Sequence, residues 1–280
     1  MPNSQPEALD QARPSLVPQL LGGTQRADKL QGHWILARAG KRVLRPGGLD
    51  LTRQMLDALA IGSLDRVVEF APGLGVTARM VLRRKPCTYC GIEREPAAAE
   101  LLRHRLDANG AKIVLAPAER SGLPDSTATV VYGEALLTMQ PQEQKVRIIA
   151  EACRLLTPCG RFAIHEICLL PDEIPETLRR EIQAAMSREI HVGVQPLTRK
   201  EWIQIFEQHG LAVTWQCQAP MRLLEPRRVL RDEGFAGALR FALTIARTPV
   251  IRHRVFAMRQ VFRRYEKHLG SISLVGRRLE

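Results

Sequence analysis

The sequence lacks the features that would place a protein in or across a membrane. It has no run of about 18 uncharged apolar residues, so we expect no membrane-spanning helix. It does not begin with a basic segment followed by an apolar block, so we expect no secretory signal. Its six cysteines do not form a disulfide framework, and most lie inside apolar patterns typical of reduced thiols. We therefore predict a cytoplasmic protein.

Acidic residues are scarce relative to basic ones. The chain has 29 Asp and Glu against 41 Lys and Arg, which gives a net charge of +12 and a pI near 10.0. This excess favours an anionic partner such as nucleic acid or an anionic membrane surface, but it carries no information about fold. The length of 280 residues allows one large α/β domain with additions, or two small domains.

A glycine-rich turn follows an apolar strand pattern early in the chain. Residues 67–78 read Val-Val-Glu-Phe-Ala-Pro-Gly-Leu-Gly-Val-Thr-Ala, and apolar residues then recur at helical spacing to residue 84. Glycine tolerates positive φ and the close approach of a ligand. A helix N-terminus presents free N–H groups and the positive end of its dipole. The pattern therefore predicts a strand, a tight turn and a helix that together bind a nucleotide or a carboxylate.

Two cofactor motifs fit this turn. Residues 69–75 resemble the first motif of class I S-adenosylmethionine (SAM) dependent methyltransferases, acid-x-Gly-x-Gly-x-Gly, with Ala71 in place of the first glycine. Residues 73–78 also fit the dinucleotide fingerprint Gly-x-Gly-x-x-Ala, and Glu93 follows about 20 residues later, as that pattern requires. The turn alone does not decide between SAM and NAD.

Strand and helix patterns alternate along the rest of the chain. We predict strands at residues 65–70, 88–93, 112–115, 127–132, 162–169 and 211–219, and a final short strand at 272–275. We predict helices at residues 33–44, 52–61, 96–108, 142–156 and 176–190, and a further helix that begins with a capping box at Thr198 and Glu201. This alternation predicts an α/β fold with a doubly wound, Rossmann-like sheet.

Further segments resemble the small-molecule branch of the same methyltransferase family, and they occur in the family's order. They include the loop at 116–125 with its Leu-Pro, and the Pro-x-Gly-Arg turn at 158–161. No Tyr-x-x-x-Lys pair or separate substrate domain supports a dehydrogenase. We interpret the chain as similar to quinone or natural-product C- or O-methyltransferases.

This resemblance implies a seven-stranded sheet with an antiparallel last strand. Residues 31–280 would form the methyltransferase domain, with N-terminal helices at 31–62, a core at 63–220 and a basic helical insertion at 221–270. Residues 1–30 look like a flexible lead-in with a short helix near 15–21.

The resemblance also implies a cofactor site. SAM would be the cofactor and S-adenosylhomocysteine the product, with Glu93 accepting hydrogen bonds from the ribose hydroxyls and Glu119 from the adenine amino group. The implied cofactor-binding residues are Glu69, Ala71, Pro72, Gly73, Gly75, Glu93, Arg94, Ala118, Glu119, Arg120, Gly133 and Glu134.

The catalytic requirement of methyl transfer is modest. The protein mainly aligns two reactants, and a general base helps only when the acceptor keeps its proton. Our candidate catalytic residues are His165 and Glu166 near the end of the fifth strand, and Tyr132 on the fourth. A hydrogen-bonded structural role is the alternative for the first two. We predict no metal site, because the Cys-x-x-Cys at 87–90 has no second pair at zinc spacing.

Three functions remain open. The first is methylation of a small, apolar or aromatic metabolite beneath the N-terminal helices and the insertion. The second is RNA methylation on the basic C-terminal face, although residues 132–135 do not match the Asn-(Leu/Pro)-Pro-aromatic motif of rRNA adenine dimethylases. The third is a non-catalytic SAM-binding partner protein, since Ala71 and Cys159 replace usual glycines.

An apolar stripe marks the basic C-terminal region. It comprises Ile251, Val255, Met258, Phe262, Tyr265 and Leu269. We predict that this stripe faces the core. The arginine-rich face beside it would meet solvent, RNA or, as a peripheral contact, an anionic membrane.

Overall fold

The structure is a computed structural model, and it describes residues 29–106 and 110–279. The helices are α1 (Gly32–Arg38), α2 (Gly48–Leu59), α3 (Val76–Leu82), α4 (Pro96–Leu106), α5 (Gln142–Leu155), α6 (Glu176–Ile190), α7 (Arg199–Glu207), α8 (Pro226–Arg247) and α9 (Pro249–Arg264). The strands are β1 (Arg66–Phe70), β2 (Thr88–Glu93), β3 (Lys112–Leu115), β4 (Ala128–Glu134), β5 (Leu156–Leu169), β6 (Leu197–Thr198), β7 (Leu211–Pro220) and β8 (Leu269–Arg278). The predicted lead-in helix near 15–21 and the predicted helix end at 107–108 lie outside the described residues.

The strands form one open, mostly parallel sheet in the order β3-β2-β1-β4-β5-β8-β7. Strands β1 to β5 run parallel, and β8 runs antiparallel between β5 and β7. The α/β, doubly wound prediction is confirmed, as is the antiparallel last strand. In the described ranges the sheet has eight strands rather than seven, because Leu197–Thr198 adds a short strand beside β5.

Helices cover both faces of the sheet. Apolar residues of α5 and α7 pack on one face, and those of α2, α3 and α4 pack on the other. A third apolar cluster joins α1, α6, α8 and α9 to the end of β5, and we call these four helices the helical lid. The predicted apolar stripe at 251–269 is buried in this cluster, so its orientation toward the core is confirmed. No helix in residues 29–106 or 110–279 is long and apolar enough to cross a membrane.

Several predicted boundaries match the structure, because local sequence determines them. Strands β2 and β3 and helix α6 have the predicted bounds, and the Thr198–Glu201 capping box is present. The Pro-x-Gly-Arg turn predicted at 158–161 lies within β5 rather than before it. Leu156 already pairs with β4, and the following residues form a bulge within β5 with Cys159 at φ +61°.

The helix predicted at 33–44 is also wrong in length, because it ends at Arg38. Gly40 lies at φ +97°, which takes the backbone out of the helix. The carboxylate of Glu233 on α8 then accepts hydrogen bonds from the backbone N–H groups of Arg42 and Val43 at 2.8 and 2.9 Å. A contact almost 200 residues away along the chain therefore replaces the helical hydrogen bonds of this segment.

Helix α2 begins at a tightly packed glycine, which gives a test of this arrangement. Gly48 lies at φ +63°, and an added Cβ would be 2.6 Å from the carboxylate of Asp232 and 2.9 Å from the guanidinium of Arg228. We expect Gly48→Ala to lower the free energy of unfolding by about 3 kcal/mol, because it adds backbone strain and a clash at a buried ion pair.

Thermal unfolding followed by circular dichroism measures this change. Gly193→Ala is the matched control, because an added Cβ at Gly193 meets nothing within 4 Å. Equal melting temperatures for the two variants would show that the packing around Gly48 is not as described.

Candidate active site

The glycine-rich turn lies at the carboxyl end of β1, in the middle of the sheet. Ala71, Gly73 and Gly75 have φ values of +52°, +57° and +74°, and α3 begins directly after them. Ala71 thus adopts the left-handed conformation at the position where the family motif has its first glycine. This explains the usual glycine, since a side chain there costs conformational energy.

Glu93, at the end of β2, faces this turn. Its carboxylate accepts hydrogen bonds from the backbone N–H of Glu95 at 3.0 Å and from that of Gly73 at 3.4 Å. Burial raises the pKa of Glu93, although these backbone donors oppose the shift. An added Cβ on Gly73 would meet nothing nearer than 3.9 Å, so there is room for a ligand against the turn. An acceptor carboxylate beside an accessible turn fits the nucleoside cofactor that the motif implies.

Glu69 lies in the centre of the sheet and is almost fully buried. Its carboxylate accepts hydrogen bonds from the hydroxyl of Tyr132 at 2.5 Å and from that of Tyr89. Burial raises the pKa of Glu69 to about 7, and the two hydroxyls only partly offset this effect. Tyr132 itself is fully buried and its hydroxyl is engaged with Glu69. A catalytic role for Tyr132 stays a prediction, and the geometry favours a structural one.

Glu134, at the end of β4, holds several segments together. Its Oε1 accepts hydrogen bonds from Thr52 at 2.5 Å and lies 3.0 Å from Arg45 Nε, while its Oε2 accepts from the hydroxyl of Thr77. Burial opposes ionisation of this carboxyl. The charge of Arg45 and the hydrogen bonds from His165 and Thr52 outweigh that effect and lower the pKa of Glu134 to about 2. Glu134 is therefore an anion that links the start of α3 to α2 and its preceding loop.

His165 lies beside Glu134 and has no exposed surface. Its Nδ1 is 2.9 Å from the Glu134 carboxylate, and its Nε2 is 2.5 Å from the carbonyl oxygen of Pro46. The Thr52 hydroxyl also lies 3.4 Å from Nδ1. Both ring nitrogens are thus engaged by contacts within the protein, and the buried ring has no surface from which to reach a substrate. Its role as a general base stays a prediction that this geometry does not favour.

Glu166 lies on the opposite side of β5 and fixes the turn that follows β4. Its carboxylate accepts from the backbone N–H groups of Leu136, Leu137 and Thr138 at 2.9, 2.7 and 3.0 Å, and from the Thr138 hydroxyl at 2.6 Å. Burial raises the pKa of Glu166, and these donors counter the shift. Its contacts are structural ones, and its predicted catalytic role has no support in them.

The structure brings most of the predicted cofactor residues to one edge of the sheet. Strands β1, β2 and β4 are neighbours, so their carboxyl ends bring together Glu69, Ala71, Pro72, Gly73, Gly75, Glu93, Arg94, Gly133 and Glu134. The loop after β3 carries a buried Ala118, a half-buried Glu119 and an exposed Arg120 at the same edge. The contacts that each would make with a cofactor stay predictions.

Comparison with known proteins agrees with this geometry. A family described as a methyltransferase domain matches residues 68–164. A protein of Haemophilus influenzae described as uncharacterized is 33% identical over 213 residues, which is 75% of this chain and 83% of that protein. The crystal structure of the MccD protein has a TM-score of 0.66 at 16% identity, covering 84% of this chain and 99% of that chain. Geranyl diphosphate C-methyltransferase from Streptomyces coelicolor, crystallised with Mg²⁺, geranyl diphosphate and S-adenosylhomocysteine, has a TM-score of 0.60 at 14% identity over 82% and 79% of the two chains.

The family match runs from β1 to β5 and includes the glycine turn and Glu93. The chain belongs to the class I SAM-dependent methyltransferases. The predicted family, enzyme class and cofactor are therefore confirmed. Bound SAM supplies an electrophilic methyl group on a sulfonium, and the turn and Glu93 are the residues that would hold it.

Several residues of this methyltransferase's site give no signal in the sequence. Arg45, Thr52 and Thr77 all contact Glu134, but nothing in their local sequence indicates a common partner. For His33 and Trp34 the sequence predicts only a place in a helix. In the structure their ring centroids are 4.5 Å apart, with the ring planes tilted by 53°. The His33 ring is densely packed although the residue keeps some exposed surface, and burial, together with the charge of Arg94, lowers its pKa to about 4. His33 is therefore neutral at physiological pH.

The raised pKa of Glu69 predicts a pH-dependent stability of the methyltransferase. Folded Glu69 keeps its proton up to about pH 7, whereas an unfolded glutamate loses it near 4.5. The folded state therefore binds the extra proton between these values, and stability falls as pH rises through that window. We compare the free energy of unfolding of wild type with that of Glu69→Gln. Between pH 4.5 and pH 7, we expect the wild-type value to fall relative to that of the variant by up to about 3 kcal/mol.

Urea unfolding at a series of pH values measures this difference. Glu207→Gln, at an exposed glutamate on α7, is the control for the loss of one acidic side chain. If the difference for Glu69→Gln does not change with pH, Glu69 is not a buried carboxyl of raised pKa.

Proposed function

We propose that this methyltransferase acts on a small, apolar or aromatic metabolite. The observation that carries the proposal is the position of Trp34 and Leu44. Both side chains pack against the small apolar cluster that contains Leu74 of the glycine turn, and also against the apolar core of the helical lid. Both are only partly buried, so they form an apolar boundary between the cofactor turn and the lid. An acceptor must lie next to the cofactor to receive a methyl group, and this boundary adjoins that position.

The chemistry of the boundary supports an apolar acceptor. Met139, in the turn after β4, is another partly buried apolar side chain that packs on the lid core. His33 adds a neutral imidazole, which can hydrogen-bond to a hydroxyl or amine without presenting a charge. Pockets for small ligands are mostly apolar with few polar groups, and this combination fits that description.

The alternatives predict different substrates. RNA methylation draws support from the net charge of +12. A non-catalytic SAM-binding protein would bind the cofactor without turnover.

We also propose a cytoplasmic location, supported by the absence of disulfides among the six cysteines.

Transfer of label from methyl-labelled SAM tests the proposal. The acceptors are a panel of phenols, naphthols, hydroquinones and prenyl alcohols, with total RNA alongside. We expect label in one of the small apolar compounds. Label in RNA alone would contradict the proposal, and so would cofactor binding without label in any acceptor.

The acceptor boundary has its own test once an acceptor is labelled. We expect Trp34→Ala to raise the KM for that acceptor about tenfold or more, since a large aromatic contact is lost, with little change in SAM affinity. Trp215→Ala is the matched control, because Trp215 is also partly buried but lies on the edge strand β7. An unchanged KM in Trp34→Ala would place the acceptor elsewhere.

A further inference from the structure

Helix α8 changes character at Gly234, where the backbone leaves helical geometry at φ 71° and ψ 175°. Before this kink, Asp232 and Glu233 are buried, and they hold the first turn of α2 and the loop before it. Asp232 accepts from the N–H of Leu49 at 3.1 Å, and Glu233 accepts from those of Arg42 and Val43. The first part of α8 is thus anchored to the rest of the domain, and the second part extends over the surface.

The second part of α8 exposes large apolar side chains. Phe235 is 78% exposed, Leu239 is 50% exposed and Leu243 is 42% exposed. Their spacing of four residues places them along one side of the helix, and Ala242 and Ala246 fall within the same sector. We call this exposed surface, Phe235 to Arg247, the outer face of α8. It leaves apolar area in water that packing within the described chain does not use.

The sequence of the outer face and of the helix after it is basic. Residues 234–265 contain no Asp or Glu and seven arginines, of which Arg259, Arg263 and Arg264 pair with acids of other segments. Arg240 and Arg247 are exposed and lie at one border of the apolar sector. On the adjoining helix α9, Phe256 and Arg252 are exposed as well. Apolar side chains bordered by exposed arginines form the pattern that binds the boundary between lipid headgroups and acyl chains.

We propose that the outer face of α8 docks on the surface of an anionic lipid membrane. Phe235, Leu239 and Leu243 enter the boundary region of the bilayer, and Arg240 and Arg247 contact anionic headgroups. The apolar side chains bury area, and the arginines gain from the negative potential of the lipid surface. The protein lies on the membrane and does not span it, in agreement with the absence of a spanning helix among the described residues.

Two other occupants fit the outer face less well. RNA would use the arginines and could stack a base on Phe235, but Leu239, Leu243 and the alanines make up most of the apolar sector and offer no stacking surface. A second copy of the chain would bury the apolar sector, but it would also bring arginines of like charge together with no acidic partners in residues 234–265. The inference does not depend on the identity of the methyl acceptor, so a failed acceptor screen leaves it intact.

Vesicle flotation with the full-length protein tests the proposal. The vesicles contain either phosphatidylcholine alone or equal parts of phosphatidylcholine and phosphatidylglycerol. We expect binding to the mixed vesicles that weakens with added salt, and much weaker binding to the neutral ones. The triple variant Phe235→Gln/Leu239→Gln/Leu243→Gln should bind at least about tenfold more weakly, because it removes the apolar contacts.

Matched controls separate the outer face from the rest of the surface. The double variant Leu64→Gln/Leu115→Gln alters exposed leucines elsewhere and should bind like wild type. Arg240→Gln/Arg247→Gln should weaken binding about fivefold for each arginine, whereas the exposed pair Arg83→Gln/Arg147→Gln should weaken it much less. Thermal unfolding confirms that each variant is folded.

Several outcomes would overturn the proposal. One is equal binding to neutral and anionic vesicles, or no binding to either. Another is the same loss of binding in the control variants as in the outer-face variants. A third is a wild-type dimer in sedimentation velocity that the triple variant abolishes, which would assign the face to a second copy. Salt-sensitive RNA binding that depends on Arg240 and Arg247, without vesicle binding, would assign it to RNA.

Discussion

The buried carboxylate of Glu134 is the interaction on which the candidate active site depends most. It lies at the end of β4 and contacts Thr77 of α3, Thr52 of α2 and the guanidinium of Arg45. An ionised buried carboxylate is stable only with such partners, and removal of one partner leaves a charge in a region of low dielectric constant. The position of the glycine turn relative to α2 and its preceding loop therefore depends on one charge.

A second set of buried carboxylates connects this site to the helical lid. Asp232 and Glu233 lie 3.9 and 3.6 Å from the ammonium group of Lys41, which has no exposed surface. Burial lowers the pKa of Lys41, and the two carboxylates oppose the shift. The same carboxylates accept backbone N–H groups from the first turn of α2 and from the loop before it. The apolar boundary at Trp34 and Leu44 is thus held from two sides, by this loop and by the lid core.

Local patterns predicted much of the fold, and contacts between distant segments account for the rest. Helix α6, strand β2 and the capping box at Thr198 follow from short-range spacing, and the turn at Gly73 follows from its motif. The early end of α1 depends on Glu233. The buried carboxylate of Glu134 is stabilised by its contacts with Arg45, Thr52 and Thr77. No local signal links such residues, because their contacts exist only after the chain has folded.

The catalytic candidates show the same limit. The sequence indicates His165, Glu166 and Tyr132 because their side chains can exchange protons and because they lie near strand ends. Burial and hydrogen bonding decide whether such a side chain is free to react, and neither property can be read from residue type. In the folded protein all three side chains bond to other parts of the chain. These contacts agree with a reaction that mainly requires the alignment of two reactants.

The central claim is that the turn at Gly73 and the carboxylate of Glu93 hold SAM, and calorimetry tests it most directly. Purified protein is titrated with SAM, S-adenosylhomocysteine and NAD, with Glu93→Ala as the variant and Glu100→Ala, at an exposed acid on α4, as the control. The structure predicts that the first two ligands bind to wild type and to the control, and that Glu93→Ala loses most of this affinity. Binding of NAD in their place, or an unchanged SAM affinity in Glu93→Ala, would contradict it.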